Sequence, residues 1–413
     1  MFSICITLFK FLYFFICYQL NIHSYTHFIK SIAILVSDIN IYYVKIFQWQ
    51  LLNSNFNSEL TDFFRQFNNN VKYSEKDIDI DALNNMIEYA KQTNNILTIE
   101  NNYRPINSGT IALVFKGKLN DKEIVIKMLR YNIQTEIEKC LDNTIYLLNI
   151  IKYLNIGFNT TSASNYMTNI RKCLYDQCDF LKEVNNINIF ADRYRKSKTI
   201  IIPQVYKEYT VFDNRLIVMD FLQGKSLYQL NEEEMTMYSS VFNIYVLNAL
   251  MVKKLIHCDV HAGNLIFMYV DGKYKLGLID FGIIKEMNDL EYRFMYKLLV
   301  NLMNKEYENF YKEILDNSIE NRREIDNKIF DEIIYKVMQE HKNGNLLKDG
   351  MLRNSDLDII FTLLHGYELN IKKDVCELLL SLICIFNILN VFLKDRPLGD
   401  LFKSFIIPDK LLC

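Results

Sequence analysis

The sequence predicts an α+β fold in which a small antiparallel sheet is placed between helical segments. Two observations predict it. Residues 111–119 (IALVFKGKL) and 123–129 (EIVIKML) alternate in the manner of strands, with the turn residues NDK between them. Most of the remaining chain has helical periodicity, and its 413 residues include only 12 Gly and 4 Pro to interrupt helices.

Composition limits the classes of function. Hydrophobic residues make up 50% of the chain, which is enough for at least one large core. The net charge is −2, from 47 basic and 49 acidic residues, so we expect no nucleic-acid partner. Nine Cys occur without paired CxxC spacing, and Cys173 and Cys178 have no second pair to complete a metal site. This pattern favours a reducing compartment.

Two strongly apolar runs are candidates for membrane contact. Residues 4–20 are interrupted only by Lys10, and they lack the basic start and small-residue cleavage site of a secretory signal peptide. We therefore expect residues 1–30 to form a membrane-associating segment rather than a core helix. Residues 375–393 contain Glu377 and two Asn, which favours a core helix there.

The order of the patterns divides the chain into segments. Residues 31–102 are predicted to be a helical extension, residues 103–222 a sheet-containing lobe with a helical insertion, and residues 223–413 a mainly helical lobe. The last lobe begins with a helical pattern at 232–256, followed by two strands around the turn VDGK, and it is helical after Lys285. This order is typical of a two-lobed protein-kinase-like fold with an N-terminal helical extension.

The stretch LIHCDVHAGNLIF concentrates the residue types of phosphoryl transfer. Asp259 precedes Asn264 by five residues, and Asp280 begins the downstream tripeptide DFG. Protein kinases place a catalytic Asp, a metal-binding Asn and a metal-binding Asp in this pattern, so we predict a catalytic role for Asp259 and Mg²⁺ ligation by Asn264 and Asp280. His257 and His261 frame the loop as further candidate catalytic residues. The alternative is that Asp259 and His261 only cap turns.

A nucleotide site also needs groups for the phosphates and the base. The strand IVIKM supplies Lys127, in the form of the kinase pattern Val-Ala-Ile-Lys. The loop before the first strand has one glycine, Gly109, ahead of Val114, and it is a candidate cover for the ATP phosphates. Asp220, in the connector MDFLQG, is a candidate for backbone contact with the adenine; an ordinary interlobe loop is the alternative.

With these residues in place, the chain resembles the UbiB/AarF/ADCK family of atypical kinase-like proteins, from about residue 45 to the C-terminal helices. The family stretch His-Ala-Asp-Pro-His-Pro-Gly-Asn is similar to HCDVHAGN in this sequence. The residues that carry over are His257, Asp259, His261, Gly263 and Asn264, together with Asp280 and Lys127. The family also pairs the phosphate Lys with a Glu in Asp-Phe-x-x-Glu-Ala-x-Asn, and DFLKEVNN nominates Glu183.

The resemblance has departures in two places. The family has Lys-x-Gly-Gln on a helix that folds over the nucleotide, and here Lys45 and Gln48 are retained while Phe47 stands at the Gly position. In the phosphate loop, NSGTIALV has Gly109 within the Ala run and Leu113 at the Gln position. Phe47 affects how closely this helix can dock over the nucleotide site. The altered loop affects which nucleotide the site prefers.

The family resemblance implies ATP and Mg²⁺ as cofactors and an atypical kinase or ATPase activity that supports isoprenoid-lipid, ubiquinone-like metabolism. It also implies a membrane surface, isoprenoid lipids or their biosynthetic enzymes as partners, and a mitochondrial location. No Ala-Pro-Glu segment follows DFG, which argues against an ordinary peptide substrate. Two alternatives stay open: a small-molecule kinase of the aminoglycoside or choline type, and a non-catalytic regulator that binds nucleotide.

Overall fold

The computed structural model describes residues 2–40, 42–43, 60, 63, 71–153, 171 and 174–393. The chain forms two compact units. The first unit comprises Met1–Val184 and Gln204–Phe221, and the second comprises Asn185–Pro203 and Leu222–Cys413. The division into segments 1–30, 31–102, 103–222 and 223–413 stays a prediction.

The helices and strands are numbered in chain order. The helices of the described residues are α1 (Phe2–Gln19), α2 (Tyr25–Ile39), α3 (Ile80–Gln92), α4 (Ile133–Tyr153), α5 (Phe180–Tyr194), α6 (Lys207–Phe212), α7 (Glu232–Leu247), α8 (Asp289–Met303), α9 (Tyr307–Ser318), α10 (Asn327–Lys342), α11 (Asn354–Gly366) and α12 (Lys373–Leu393). The strands are β1 (Leu97–Ile99), β2 (Asn107–Ser108), β3 (Ala112–Leu119), β4 (Lys122–Leu129), β5 (Ile200–Ile201), β6 (Leu216–Asp220), β7 (Leu255–His257), β8 (Leu265–Val270), β9 (Lys273–Leu278) and β10 (Ile284–Glu286).

The first unit is built on an antiparallel sheet with the strand order β1-β3-β4-β6, and β2 pairs with β3. The β3–β4 hairpin closes where Leu119 lies opposite Lys122. Asn120 in this turn has a left-handed φ of 54°, which Asn adopts more readily than most residues. In the same ladder Val114 lies opposite Lys127, so the predicted strands bring these two candidate residues together.

Alternation along β4 sends its side chains into two different cores. Ile126 and Met128 pack in a cluster with the buried face of α3. Leu129, on the other face of the strand, packs in a second cluster with Phe180 at the start of α5. Lys127 shares that second face, and its Nζ lies 5.4 Å from the centroid of the Phe180 ring. The period of the strand therefore sets the direction in which the lysine points.

The N-terminal helices α1 and α2 pack against each other as a hairpin. The rings of Tyr18 and Phe28 stack with centroids 5.1 Å apart, and Cys17 and Ile32 are buried. Phe9, in contrast, is 74% exposed. An apolar surface of this kind is what a membrane-associating segment would present, and the membrane role of residues 1–30 stays a prediction.

The second unit contains a hairpin of β8 and β9, with β5 parallel to β9, and a separate antiparallel pair of β7 and β10. Asp271 and Gly272 form the hairpin turn with positive φ of 54° and 72°, as an Asp-Gly hairpin turn requires. The β7–β10 pair places Ile284 opposite His257. The segment that follows the DFG tripeptide therefore returns to the strand that leads into the HCDVHAGN loop.

Two helical stretches of the described residues are long and apolar enough to cross a membrane: Glu232–Lys253 and Lys373–Leu393. In their most apolar windows, 44% and 56% of the residues are buried within the structure, as is common in core helices. Length and composition alone make them weak signs of a membrane span. The second stretch, which we predicted to be a core helix, contributes Leu379, Leu382 and Phe386 to the buried residues.

The fold class is confirmed: a sheet-containing N-terminal part is followed by a mainly helical C-terminal part with a short hairpin. Two details of the prediction are wrong. Leu97–Ile99 is a strand within the predicted helical extension. It could not be predicted because three residues are too few to show the alternation of a strand. The helix expected at 232–256 ends in a π-helical turn at Asn248–Lys253, after which Lys254 takes a φ of 51° and β7 begins.

Candidate functional site

In the first unit, the structure brings Lys127 and Glu183 together as a buried ion pair. Lys127 Nζ donates to both carboxylate oxygens of Glu183, at 2.7 and 2.9 Å, although 56 residues separate the two in sequence. The two residues are 9% and 2% exposed. A charged pair at this depth is held by close, bidentate geometry, since each charge would otherwise carry a large desolvation penalty.

The start of α5 positions Glu183. The Asp179 side chain accepts a hydrogen bond from the backbone N–H of Lys182 at 3.0 Å, and the Asp179 carbonyl accepts one from Glu183 N at 3.1 Å. These bonds satisfy N–H groups of the first helical turn, which have no partner within the helix. Glu183 lies in that first turn, where a carboxylate is also favoured by the helix dipole.

Gly109 stands in the turn between β2 and β3, and its backbone N–H donates to Ala112 O at 2.9 Å. Arg130, only 3% exposed, donates from Nε and Nη2 to the Gly109 carbonyl at 3.0 and 2.9 Å and from Nη2 to Ser108 Oγ at 2.9 Å. Arg130 is not among the residues that the sequence predicted for the site. The one available signal is its place at the end of the strand that carries Lys127.

Asp220 ends β6, and its side chain is already engaged within the first unit. Its Oδ1 accepts from Lys122 Nζ at 2.8 Å and from Tyr206 OH at 3.0 Å. Its backbone N–H donates to Gln204 O at 2.9 Å. Any contact of Asp220 with a nucleotide would therefore fall to its backbone carbonyl, in keeping with the backbone role predicted for the connector.

In the second unit, Asn264 joins the loop after β7 to the end of β9. Its Nδ2 donates to the Asp259 carbonyl at 2.9 Å, and its own carbonyl accepts from Ile279 N at 3.0 Å. The amide nitrogen is only a donor, so Oδ1 is the atom that a cation would take. The Asp259 side chain is 49% exposed, so its carboxylate is accessible to a substrate.

His257 is fully buried and fastens the same loop. Its Nδ1 accepts from Asp259 N at 3.3 Å, and its Nε2 lies 3.4 Å from the Ile279 carbonyl, to which it would donate. Burial lowers the pKa of His257 below its usual value of 6.5, and the negative charges of Asp259 and Asp280 oppose that shift only in part. A neutral imidazole with one donor and one acceptor fits both contacts.

His261 caps a turn, which is the alternative to the catalytic role predicted for it. Its Nδ1 accepts from Gly263 N at 3.1 Å and caps the short turn Ala262–Asn264. Its Nε2 lies 3.9 Å from Asp259 Oδ2. The catalytic role of His261 stays a prediction, while its capping contact is part of the fold.

Asp280 has a left-handed φ of 62°, which is uncommon for a residue with a side chain. Its Oδ1 accepts from Gly282 N at 3.3 Å, and the carbonyl of the next residue, Phe281, accepts from Asn186 Nδ2 at 2.8 Å. Backbone strain of this kind tends to occur at functional sites. Asn186 is the last residue of the DFLKEVNN motif, so the motif that nominated Glu183 also contained this second residue.

After Gly282 the chain leaves no room for a long activation segment. Ile283 O accepts from Cys258 N at 3.0 Å, β10 follows at once, and α8 begins at Asp289 with a cap from Asn288. The prediction that a helix follows Gly282 directly is wrong at Ile284–Glu286, which form β10; the helix begins at Asp289.

The donor set in the second unit fits Mg²⁺. Asn264 and Asp280 offer an amide and a carboxylate oxygen, which are hard ligands, and the Ile279–Asn264 hydrogen bond ties the two positions together. Within the described part of the chain, no group of three or more His, Cys, Asp or Glu could hold a metal ion by itself. A site with few protein ligands is what Mg²⁺ uses when phosphates supply the others.

Lys45, Phe47 and Gln48 lie outside the described residues.

The burial of His257 predicts a loss of stability in acid. The pKa of His257 in the folded chain lies below the unfolded value of 6.5. Between these two values the imidazole binds a proton in the unfolded chain but not in the folded chain. The stability present above pH 6.5 should therefore fall as the pH drops below it, by at most about 1.4 kcal/mol per pH unit for one group. Urea unfolding between about pH 7.5 and about pH 5.5 should show a smaller loss for His257→Gln than for the wild type. Equal losses would show that His257 is not the group that titrates.

The sequence model described as the ABC1 atypical kinase-like domain matches residues 76–314. A chloroplastic aarF domain-containing protein kinase of Arabidopsis thaliana, itself uncharacterised, is 30% identical over 56% of this chain and 44% of its own length. A probable protein kinase UbiB of Histophilus somni is 26% identical over 48% of this chain and 38% of its own length. The chain thus spans less than half of either relative.

Among solved structures, the chain is similar to Rv3197 from Mycobacterium tuberculosis, solved in complex with erythromycin. The identity is 16%, the TM-score is 0.45, and the match covers 73% of this chain and 76% of that chain. The family model, by contrast, covers more than half of the present chain and includes Lys127, Glu183, Asp259, Asn264 and Asp280. The protein therefore belongs to the ABC1 atypical kinase-like family, whose relatives include aarF domain-containing kinases and UbiB, and the predicted resemblance is confirmed.

Proposed function

We propose that the protein binds ATP with Mg²⁺ and acts as an atypical kinase or ATPase at a membrane. The buried, bidentate pair of Lys127 and Glu183 is the observation that carries this proposal. Two charges at this depth cost free energy that well-packed apolar residues would not, so the pair points to a function beyond stability. Kinases use such a pair to hold a lysine against the nucleotide phosphates.

The residues of the second unit supply the other parts of the reaction. Asp259, with an exposed carboxylate, orients the acceptor or takes its proton, while His257 and the Asn264 amide hold the backbone around it. Asn264 Oδ1 and the Asp280 carboxylate would hold Mg²⁺. When bound, Mg²⁺ neutralises charge that develops on the transferred phosphoryl group. Gly109 and Val114 cover the phosphates, and the Asp220 backbone meets the adenine.

The acceptor in this proposal is not an extended peptide. The chain passes from Gly282 through β10 into α8, without a segment on which a peptide could lie. The exposed apolar side chains of α1, such as Phe9 at 74% exposure, favour a membrane surface. We therefore propose isoprenoid lipids or the enzymes that make them, as in ubiquinone-like metabolism, as the partners. For the location we propose the mitochondrion, from the family resemblance alone; the relatives described above are a chloroplastic and a bacterial protein.

Steady-state ATP hydrolysis by the purified full chain tests this proposal. We expect turnover that needs Mg²⁺, rises with liposomes containing an isoprenoid lipid, and falls by about a hundredfold or more in Asp259→Asn. Asp271→Asn is the matched control, because Asp271 lies in the β8–β9 turn of the same unit and its side chain is 86% exposed. ATP binding without turnover that depends on Asp259 would favour the nucleotide-binding regulator instead. Turnover of a soluble alcohol without lipid stimulation would favour a small-molecule kinase.

A further inference from the structure

The Gly109 turn is supported by both the side chain and the backbone of one residue. Besides its side-chain bonds to Gly109 O and Ser108 Oγ, Arg130 donates its backbone N–H to Ile111 O at 3.0 Å. Arg130 therefore contacts three of the four residues from Ser108 to Ile111. These bonds of Arg130 add to the pairing of β2 with β3, which already joins the two sides of the turn through Asn107 and Ser108.

The same guanidinium reaches a second stretch of chain on its other side. Nη2 donates to the Lys72 carbonyl at 3.2 Å, and Nη1 lies 3.1 Å from Asp77 Oδ2. Asp77 is itself held, since its Oδ2 accepts from Ser74 N at 2.6 Å and its carbonyl accepts from Tyr131 N at 2.9 Å. Val71 N donates to Ser108 O at 2.8 Å, so residues 71–77 also touch the turn directly.

We propose that Arg130 is a positioning residue that sets the conformation of the phosphate loop at Gly109 by tying it to residues 72–77. This inference rests on the proposed ATP function and adds to it. Three nitrogens of one planar group bond four acceptors, and two of these are backbone carbonyls whose directions are fixed by the chain. A lysine at this position would keep the charge but could not reproduce the fork.

A positioning role predicts an effect that depends on the phosphates. In Arg130→Lys the dissociation constant of MgATP should rise by about tenfold, while that of adenosine, measured by competition, should stay within about twofold. Arg215→Lys is the matched control. Arg215 lies in the same unit and is also ion-paired, to Asp213 and Asp79, but its bonds do not reach the Gly109 turn. Amide hydrogen exchange should rise in residues 106–112 of Arg130→Lys and stay unchanged there in Arg215→Lys.

The outcomes separate this inference from the proposed function. A purely structural role would reduce the folded fraction, which leaves the ratio of the ATP and adenosine dissociation constants unchanged. If the wild type binds MgATP and that ratio is the same in Arg130→Lys, the positioning role is wrong and the nucleotide function stands. If the wild type binds neither ligand, the proposed function is wrong and the positioning role falls with it. A raised ratio together with faster exchange in residues 106–112 would support the inference.

Discussion

Lys127→Met is expected to lower the free energy of unfolding by about 3–5 kcal/mol and to abolish ATP binding. The substitution removes the ammonium group that bonds both oxygens of the Glu183 carboxylate, which is only 2% exposed. Loss of one member of a buried, bidentate ion pair is among the most costly defects that a single substitution can create. Urea denaturation measures the loss of stability, and calorimetric titration with MgATP measures the loss of binding.

A double variant separates the two effects. Lys127→Met combined with Glu183→Met removes both charges, so most of the lost stability should return while ATP binding stays absent. Lys116→Met is the matched control. Lys116 pairs with Glu123 at 2.6 Å on the same sheet, but the two side chains are 24% and 42% exposed, so water can replace the lost partner. If Lys127→Met binds MgATP as the wild type does, the assignment of the lysine to the phosphates is wrong.

Asp280→Asn is expected to remove the stabilisation of the chain by MgATP without unfolding it. Asn tolerates the left-handed φ of 62° at this position, so the backbone should keep its conformation. It lacks the negative charge that a hard divalent cation prefers. At an ATP concentration a hundred times the dissociation constant, the wild type should gain about 2.7 kcal/mol. Thermal unfolding with and without MgATP should show this gain for the wild type and none for Asp280→Asn.

The chain offers a close control for this experiment. Asp271 also has a positive φ, 54°, but it lies in the β8–β9 turn with an 86% exposed side chain. Asp271→Asn makes the same chemical change in the same kind of backbone, and it should keep the full MgATP shift. A shift that survives in Asp280→Asn would mean that Asp280 is not the metal ligand.

The parts of the fold that could be predicted are those with a strong local pattern. Alternation along residues 111–119 and 123–129 predicted the β3–β4 hairpin. The VDGK stretch predicted the turn between β8 and β9, and in the structure Asp271 and Gly272 of this turn have positive φ. The two strands next to Asn264 and Asp280 predicted that these residues lie at one end of a hairpin, and in the structure Ile279 N donates to the Asn264 carbonyl at that end.

Other parts could not be predicted because their signal is not in the side-chain pattern. Arg130 is held by the carbonyls of Gly109 and Lys72, and every residue has a carbonyl, so the sequence does not show which ones will accept. Turn capping by His261 could be given only as an alternative, because it depends on a loop conformation that histidine alone does not encode. Glu183 was chosen from a family motif, since chemistry alone does not single out one glutamate 56 residues from its lysine.

The most direct test of the account is the affinity of the wild-type chain for ATP, measured by calorimetry with excess Mg²⁺ and again with a chelator. We predict saturable binding with Mg²⁺ that weakens by about tenfold or more when the metal is removed, because Asn264 and Asp280 act on the phosphates through it. Absence of binding in both conditions, or an affinity that the metal leaves unchanged, would contradict the account.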